Sequence, residues 1–318
     1  VLIMIDTILA VDLGGTKLLI GEVTQSGEIL SQVKASSDVT SQRVAINAIK
    51  KAVQIYLKTA VRKGNIIGIG IGMVGRMDTE KGIWYEIHPE LADEINVRRE
   101  FSEFTEIPVF IANDVYCATL AELLLGFGTD TKSFVYMNIG TGIAGRIVDK
   151  GKVMVGNHFD SGEIGHMVVD MNSNWKCICG RKGCVEPISS GLGMHNQAVR
   201  FKDEFPDTII LFVEGQRVGA RELMDGYEKQ DELSKKVINQ SLKGLATLIM
   251  NMVRVSDPEA IILGGGVMSS GWMLERLEPL LDKKTMRFVK KGVHVTNLDS
   301  STIALKGSAM LGFKNVKE

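Results

Sequence analysis

Net charge is almost missing from this chain, where 37 Lys plus Arg stand against 38 Asp plus Glu. No long-range field is available to gather nucleic acid or an anionic membrane, so any charge on a substrate has to be met locally. Apolar runs of membrane-spanning length are missing too. Neither a low-complexity segment nor a Pro/Ser linker interrupts the 318 residues, which contain only six prolines. The stretch Val1 to Ala10 is apolar but carries Asp6 and has no basic leader, so it reads as a first strand rather than a signal peptide. Cysteine is scarce at four residues. Three of these, Cys177, Cys179 and Cys184, are too crowded for a disulfide framework and better suited to a metal in a reducing, cytoplasmic compartment. Cys117 reads as a small buried hydrophobe.

The 45% of residues that are apolar can build an ample core, and the length suggests two domains. Short apolar runs alternate with segments of helical period, the signature of an α/β fold with sheets that are at least partly parallel. Thr7 to Val11, Leu18 to Val23 and Ile29 to Lys34 read as strands. A helix follows, with Ile46, Ile49, Val53, Leu57 and Val61 on one face and Gly64 as its stop. Ile66 to Ile71 and Val109 to Ala112 are further strands. Asn113 stands where a helix N-cap belongs, ahead of Tyr116, Leu120 and Leu124, and Gly126 ends that helix. Asp114 therefore falls at a strand-to-helix corner. Strand Phe134 to Asn138, turn Gly140-Thr141-Gly142 and returning strand Arg146 to Asp149 repeat the first pattern. Ala10 to Thr16 matches Tyr136 to Gly142 in kind, which predicts two related halves facing one another across a cleft. Leu233, Val237, Leu242, Leu245, Ile249 and Val253 mark a long helix ended by Pro258, ahead of strand Ile261 to Leu263.

Asp12-Leu13-Gly14-Gly15-Thr16-Lys17 offers amide groups and a hydroxyl where no side chain blocks a phosphate. An ordinary tight hairpin would explain one such turn equally well. A second at Gly140-Thr141-Gly142 and a third run, Gly264-Gly265-Gly266, before a helix make a triphosphate site the better account, with Asp12 holding Mg²⁺ through water. Gly70-Ile71-Gly72-Met73-Val74-Gly75 spells a dinucleotide fingerprint. Its context rejects that reading, because Met77 to Gly82 is a turn leading into Ile83-Trp84-Tyr85 rather than a helix. These glycines are expected to thin the strand so that a ligand can lie against its end.

His166 with Cys177, Cys179 and Cys184 makes a Cys₃His set suited to tetrahedral, structural zinc, and Gly180 and Gly183 supply the turns of the loop. Fixing that metal would also fix Glu163 and Glu186, rigid acceptors of the kind polyol recognition needs. Asp114 could be no more than a favourable charge at a helix start. Its place at a strand end, where ligands of α/β sheets collect, suits a general base for a hydroxyl proton.

Together these motifs resemble the ROK family of bacterial repressors, open reading frames and sugar kinases, over most of the chain. Asp12 to Lys17 is similar to its first phosphate motif and Asn138 to Gly145 to its second. Asn113-Asp114 is similar to its sugar and catalytic pair. Glu163 to His166 with Cys177 to Glu186 resembles its sugar and zinc signature, and Ile262 to Val267 its adenosine motif. The resemblance implies a duplicated actin-like (ribonuclease H-like) ATPase fold, with two domains around a central cleft. Residues 1–115, joined by a C-terminal helix at about 303–318, would form the small domain, and residues 116–302 the large one. It implies ATP-dependent phosphorylation of a hexose, usually at the 6-hydroxyl, with Asp114 as base. Asn113, Asp114, Glu163, His166 and Glu186 would contact the sugar, domain closure would exclude water, and the chain would be a homodimer. Gly75-Arg76 is similar to the pattern of some N-acetylmannosamine kinases, which suggests an acetamido sugar as the alternative. His88-Pro89-Glu90-Leu91 stands where hexokinase-like members usually carry an Asn, and Ala144 and Arg146 stand where glycines are frequent. The sequence leaves Arg146 free to point outward or to reach phosphate. A repressor of the family would need roughly sixty or more residues ahead of the first phosphate turn; residues 1–11 precede Asp12 here.

Overall fold

The computed structural model describes residues 4–15, 17–60, 62–87 and 89–316. Thr16 of the first phosphate turn, Val61 of the first expected helix and His88 lie outside the described residues, as do residues 1–3 of the expected first strand. The chain divides into two compact units. The first takes the chain up to Thr129, then Val155–Asp160, then the chain from Ser301, and the second takes Asp130–Met154 and Ser161–Ser300.

The first unit opens with strands β1 (Asp6–Leu13), β2 (Lys17–Thr24) and β3 (Ile29–Ser36). Helix α1 (Gln42–Thr59) begins where the Ser41 side chain accepts the Val44 N–H, and it buries Ala45, Ile46, Ile49, Val53 and Tyr56 along one face. It ends at Ala60, before Gly64. Gly64 instead meets β1 and β2 at close range. A Cβ there would lie 2.4 Å from Thr7 Cγ2, and its N–H, like that of Lys63, donates to the buried Glu22 carboxylate. Next come β4 (Asn65–Met73), β5 (Arg76–Asp78), β6 (Ile83–Glu86), β7 (Ile95–Asn96), α2 (Val97–Ser102), β8 (Val109–Asn113) and α3 (Asp114–Leu125). The main sheet has the order β3-β2-β1-β4-β8, and β5, β6 and β7 form a small separate sheet.

The second unit contains β9 (Phe134–Ile139), β10 (Ile143–Asp149), β11 (Lys152–Val153), α4 (Val185–Ser189), α5 (Gly191–Phe201), α6 (Ala220–Glu228), α7 (Glu232–Ser256), β12 (Ala260–Gly264), α8 (Trp272–Leu277) and β13 (Val293–Val295). Its sheet runs β11-β10-β9-β12-β13. The expected duplication is present strand for strand. In each sheet an antiparallel hairpin, β1/β2 or β9/β10, is followed on its other side by two parallel strands, β4 and β8 or β12 and β13. Helix α7 is capped by Asp231, whose side chain accepts the Ser234 N–H, and stops at Asp257 in the left-handed region (φ 43°), just before Pro258. It packs Val237, Leu245 and Ile249 into the core over this sheet.

The chain returns to the first unit as α9 (Ile303–Val316). This helix explains the glycines of β4. A Cβ on Gly70 would sit 1.9 Å from the Ser308 carbonyl oxygen and one on Gly72 2.7 Å from Ser308 Oγ. The alternation thins the strand, as expected, but what lies against it is the backbone of α9 rather than a ligand. No helix follows Gly75, so the dinucleotide fingerprint has no structural counterpart. Among the described residues, no helix is long and apolar enough to cross a membrane.

Candidate active site

Parallel pairing sets the first group of residues. Register places Asp12 beside Gly72 and Gly72 beside Ala112, so Asn113 and Asp114 leave β8 at the same sheet edge where Asp12 leaves β1. Carboxyl-terminal strand edges are where such sheets collect ligands. Asn113 caps α3, its Oδ1 accepting the N–H groups of Val115 (3.0 Å) and Tyr116 (3.2 Å), while its Nδ2 donates to the Gly75 carbonyl at 3.2 Å. Asp114 Oδ1 accepts the Val115 N–H at 2.9 Å. Asp12 is only 7% exposed. Burial, and then the neighbouring charge of Asp114, raise its carboxyl to about 7 against a partial opposing pull from Lys17. A carboxylate whose negative form is disfavoured by burial and a like charge fits a site for a divalent cation, which would supply the missing positive charge.

The turn after β1 closes with Gly14 N–H on the Lys17 carbonyl (2.9 Å), and the Gly14 carbonyl accepts Ser37 Oγ. Among the described residues beyond its chain neighbours, nothing lies within 4 Å of where a Gly15 Cβ would be. Lys17 Nζ donates to the Ser301 carbonyl at 3.2 Å. Gly75 has φ +98° and would place a Cβ 2.1 Å from the Glu86 carbonyl, so only glycine fits there. Arg76 is tied down by three neighbours: Nε donates to Glu86 Oε1 at 2.8 Å, the guanidinium lies 4.8 Å from the Tyr85 ring centroid, and Nη1 reaches the His158 carbonyl. The Arg76 bond holds Glu86 below the usual carboxylate range. Glu86, Tyr85 and the Phe159 ring stacked on it at 6.3 Å were not legible as site residues. Only the turn after β5 carried a signal for them.

In the second unit the turn Gly140-Thr141-Gly142 closes with Gly140 N–H on the Gly142 carbonyl and is gripped from outside. The Gly191 N–H donates to Gly140, the Leu192 N–H to Thr141, and the Ile143 N–H to Glu186 Oε2 at 2.9 Å. Glu186 Oε2 would also lie 2.7 Å from a Cβ on Gly142 and 3.1 Å from one on Gly165. The glycine run joins this cluster: the Val267 N–H donates to the Ile139 carbonyl, and Gly264 pairs with Asn138 in register. Gly265, at φ +86°, would bring a Cβ 2.3 Å from Ile139 O, whereas Gly266 faces open space. The run leads into α8 only after the Val267 to Gly271 turns. Arg146 is buried at 6% exposure beneath Gly162 and does not point outward. Glu163 is exposed, and its carbonyl accepts the His166 N–H.

Ligand atoms of His166, Cys177 and Cys179 lie within 4.8 Å of one another. Cys184 Sγ is 3.6 Å from Cys179 Sγ, and His166 Nδ1 is 3.2 Å from Cys177 Sγ. Burial, then the neighbouring thiols, push Cys184 up to about 12, and burial raises Cys177. Cys179 comes down instead, its burial cost outweighed by the Arg181 backbone N–H and the adjoining thiols. Three thiols that perturb one another's protons, beside an imidazole, fit a dication such as zinc that would deprotonate all three. Spacing pointed to all four residues; the structure groups His166, Cys177 and Cys179 within reach of one ion and places Cys184 against Cys179.

A sequence profile of the ROK family matches residues 8–312. The glucokinase of Thermotoga maritima is 28% identical over 280 residues, 87% of this chain and 86% of that protein. The N-acetylmannosamine kinase of Haemophilus influenzae is 28% identical over 285 residues, 88% of this chain and 86% of that protein. The crystal structure of a ROK hexokinase from Thermus thermophilus superposes with a TM-score of 0.76 at 26% identity, covering 98% of this chain and 99% of that one.

Proposed function

The chain belongs to the ROK family, and on that premise we propose that it is an ATP-dependent sugar kinase moving the γ-phosphoryl group to a hexose 6-hydroxyl, with Asp114 as general base. The observation that carries this reading is the pair Asp12, near the end of β1, and Asp114, just past the end of β8 with β4 between the two strands, close enough for one charge to raise the other's carboxyl. In phosphoryl transfer the protein mainly positions groups and balances charge. Asp12 would hold Mg²⁺, which supplies positive charge beside the phosphates. Asp114, fixed at the first turn of α3, accepts the hydroxyl proton, and Asn113 orients the sugar while anchored to Gly75. Gly14, Gly15 and Lys17 in the first unit, and Gly140 to Gly142 with Gly264 to Gly266 in the second, offer backbone and charge to the nucleotide. Open space beside Gly15 and Gly266 supports this, because the fold itself does not require glycine at either position.

Glu163, His166 and Glu186 contact the sugar in this reading. Zinc on His166, Cys177, Cys179 and Cys184 would brace them; bound, it supplies a rigid tetrahedral tie. The free thiols of this loop fit a cytoplasmic setting, and the family resemblance extends the proposal to a homodimer. A glucokinase and an N-acetylmannosamine kinase are each 28% identical to the chain, which supports a simple hexose or its acetamido derivative as the acceptors to separate. A dozen hexoses and amino sugars in a coupled ADP-release assay decide between them. In that assay Asp114→Asn lowers turnover by about two to four powers of ten while sugar binding persists. An unchanged rate removes Asp114 from the base role. No ADP release with any sugar, beside intact sugar binding, would favour a sugar-responsive regulator of the same family. Elemental analysis should find one zinc per chain, and Cys179→Ser should weaken sugar affinity; metal-free protein with normal affinity would refute the brace.

A further inference from the structure

A cavity of about 450 Å³ lies in the second unit between the segment leading into the zinc loop and helix α7. That volume falls in the range of small-molecule sites, about 300–1,000 Å³. None of the residues placed in the kinase or metal chemistry lines it. Its floor is apolar, with Val169 and with Ile188, which shares helix α4 with Glu186. Trp175 forms a wall and is held rigidly, with the Arg200 guanidinium 4.6 Å from its ring centroid and the Phe201 ring edge-on at 5.9 Å. Around it stand Asp170, Asn174, Gln240 and Lys243. Among the described residues, no hydrogen bond or ion pair engages the side chains of Asn174, Gln240 and Lys243, and Asp170 spends Oδ1 on the Asn172 N–H.

We propose that this cavity is a second carbohydrate site, taking a neutral pyranose. The chemistry is that of polyol recognition: an aromatic wall for the C–H face of a sugar ring, and amide, amine and carboxylate groups able to bond vicinal hydroxyls. Charge selects among carbohydrates. Of the charged side chains that line the cavity, Asp170 and Lys243 cancel, and Arg200 stands on the Trp175 ring without being part of the lining, so an anionic sugar phosphate gains little over its neutral parent and meets a carboxylate. Asn174 is exposed and Gln240 half-buried, so each can exchange water for a sugar hydroxyl without breaking a protein bond.

The three tryptophans, Trp84, Trp175 and Trp272, permit a local test with 5-fluorotryptophan-labelled full-length protein and ¹⁹F NMR, with Trp175→Phe assigning the signal. Glucose without nucleotide, titrated to roughly 10 mM, should shift the Trp175 resonance saturably. The shift should survive Glu186→Gln, which lies in the kinase site. It should weaken by at least about tenfold in the double variant Gln240→Ala Lys243→Ala, with the Trp84 and Trp272 signals in place to show that the fold is intact. No Trp175 shift, a shift that persists in the double variant, one lost in Glu186→Gln alone, or one produced by glucose 6-phosphate and not glucose would each overturn the proposal.

Discussion

The two glycine turns sit at the same place in two sheets of the same strand order, yet one follows an acid and the other an amide. Asp12 and Asn138 each stand one residue before the end of their strand, beside Gly72 and Gly264. The surroundings differ as much as the residue. The first turn is tied by Ser37 Oγ on Gly14 and by Lys17 on Ser301, and leaves Gly15 open. The second is clamped by N–H groups from the start of α5 and by the Glu186 carboxylate from α4. Duplication thus preserved the backbone and divided the chemistry. The first turn follows a titratable acid beside Asp114, and the second is a rigid cradle of amides with no acid of its own, held by the Glu186 carboxylate.

Making the first turn like the second is the sharpest way to break this contrast. Asp12→Asn should lower sugar-dependent ADP release at saturating Mg²⁺ by about two to three powers of ten. A rate within about threefold of the parent would mean that the acid is not what separates the two turns.

Stability against pH gives the next largest signal. The Asp12 carboxyl lies at about 7 in the folded protein and 3.8 as a free side chain. Between those values the native state holds a proton that the unfolded chain has lost. This contribution is therefore full below about pH 4, is lost as pH rises to about 7, and is flat above, with a slope of up to about 1.4 kcal/mol per pH unit. Urea denaturation in Mg²⁺-free buffer should show the slope, and Asp12→Asn should remove it. Saturating Mg²⁺ should flatten it as well, because the cation favours the ionised form. A slope unchanged in the variant would assign the effect to other groups.

Glycine substitutions separate the rigid cradle from the open turn. Gly265→Ala forces a left-handed residue and a Cβ 2.3 Å from Ile139 O, and should cost about 2 kcal/mol or more. Gly15→Ala and Gly266→Ala meet open space and should stay within about 0.5 kcal/mol of the parent, while nucleotide affinity falls by roughly tenfold. Denaturant midpoints and nucleotide titration read the two effects independently. Unchanged affinity in both would show that no ligand approaches those backbones.

Much of this was legible because it is local. Asn113 and Gly126 bound α3 as N-cap and stop, since capping needs only a short side chain or a free φ at one position. The candidate metal group could be read from spacing, because a short loop carries its thiols to one place whatever the rest of the fold does. The end of α1 and the meaning of the β4 glycines could not. Gly64 answers to Glu22 on β2, and Gly70 and Gly72 answer to a helix more than two hundred residues away in sequence. Nor could Arg76 be placed, because its partner Glu86 lies across a hairpin whose register shifts between Arg76 and Met77.

The sequence by itself determined the strand and helix pattern, the duplication and the chemical character of each candidate group, because hydrophobic period, capping and ligand type are written in neighbouring residues. Only the tertiary structure decided which carboxylate faces which. Strand register set Asp12 near Asp114, and burial first, then repulsion from Asp114, make Asp12 titrate near neutrality.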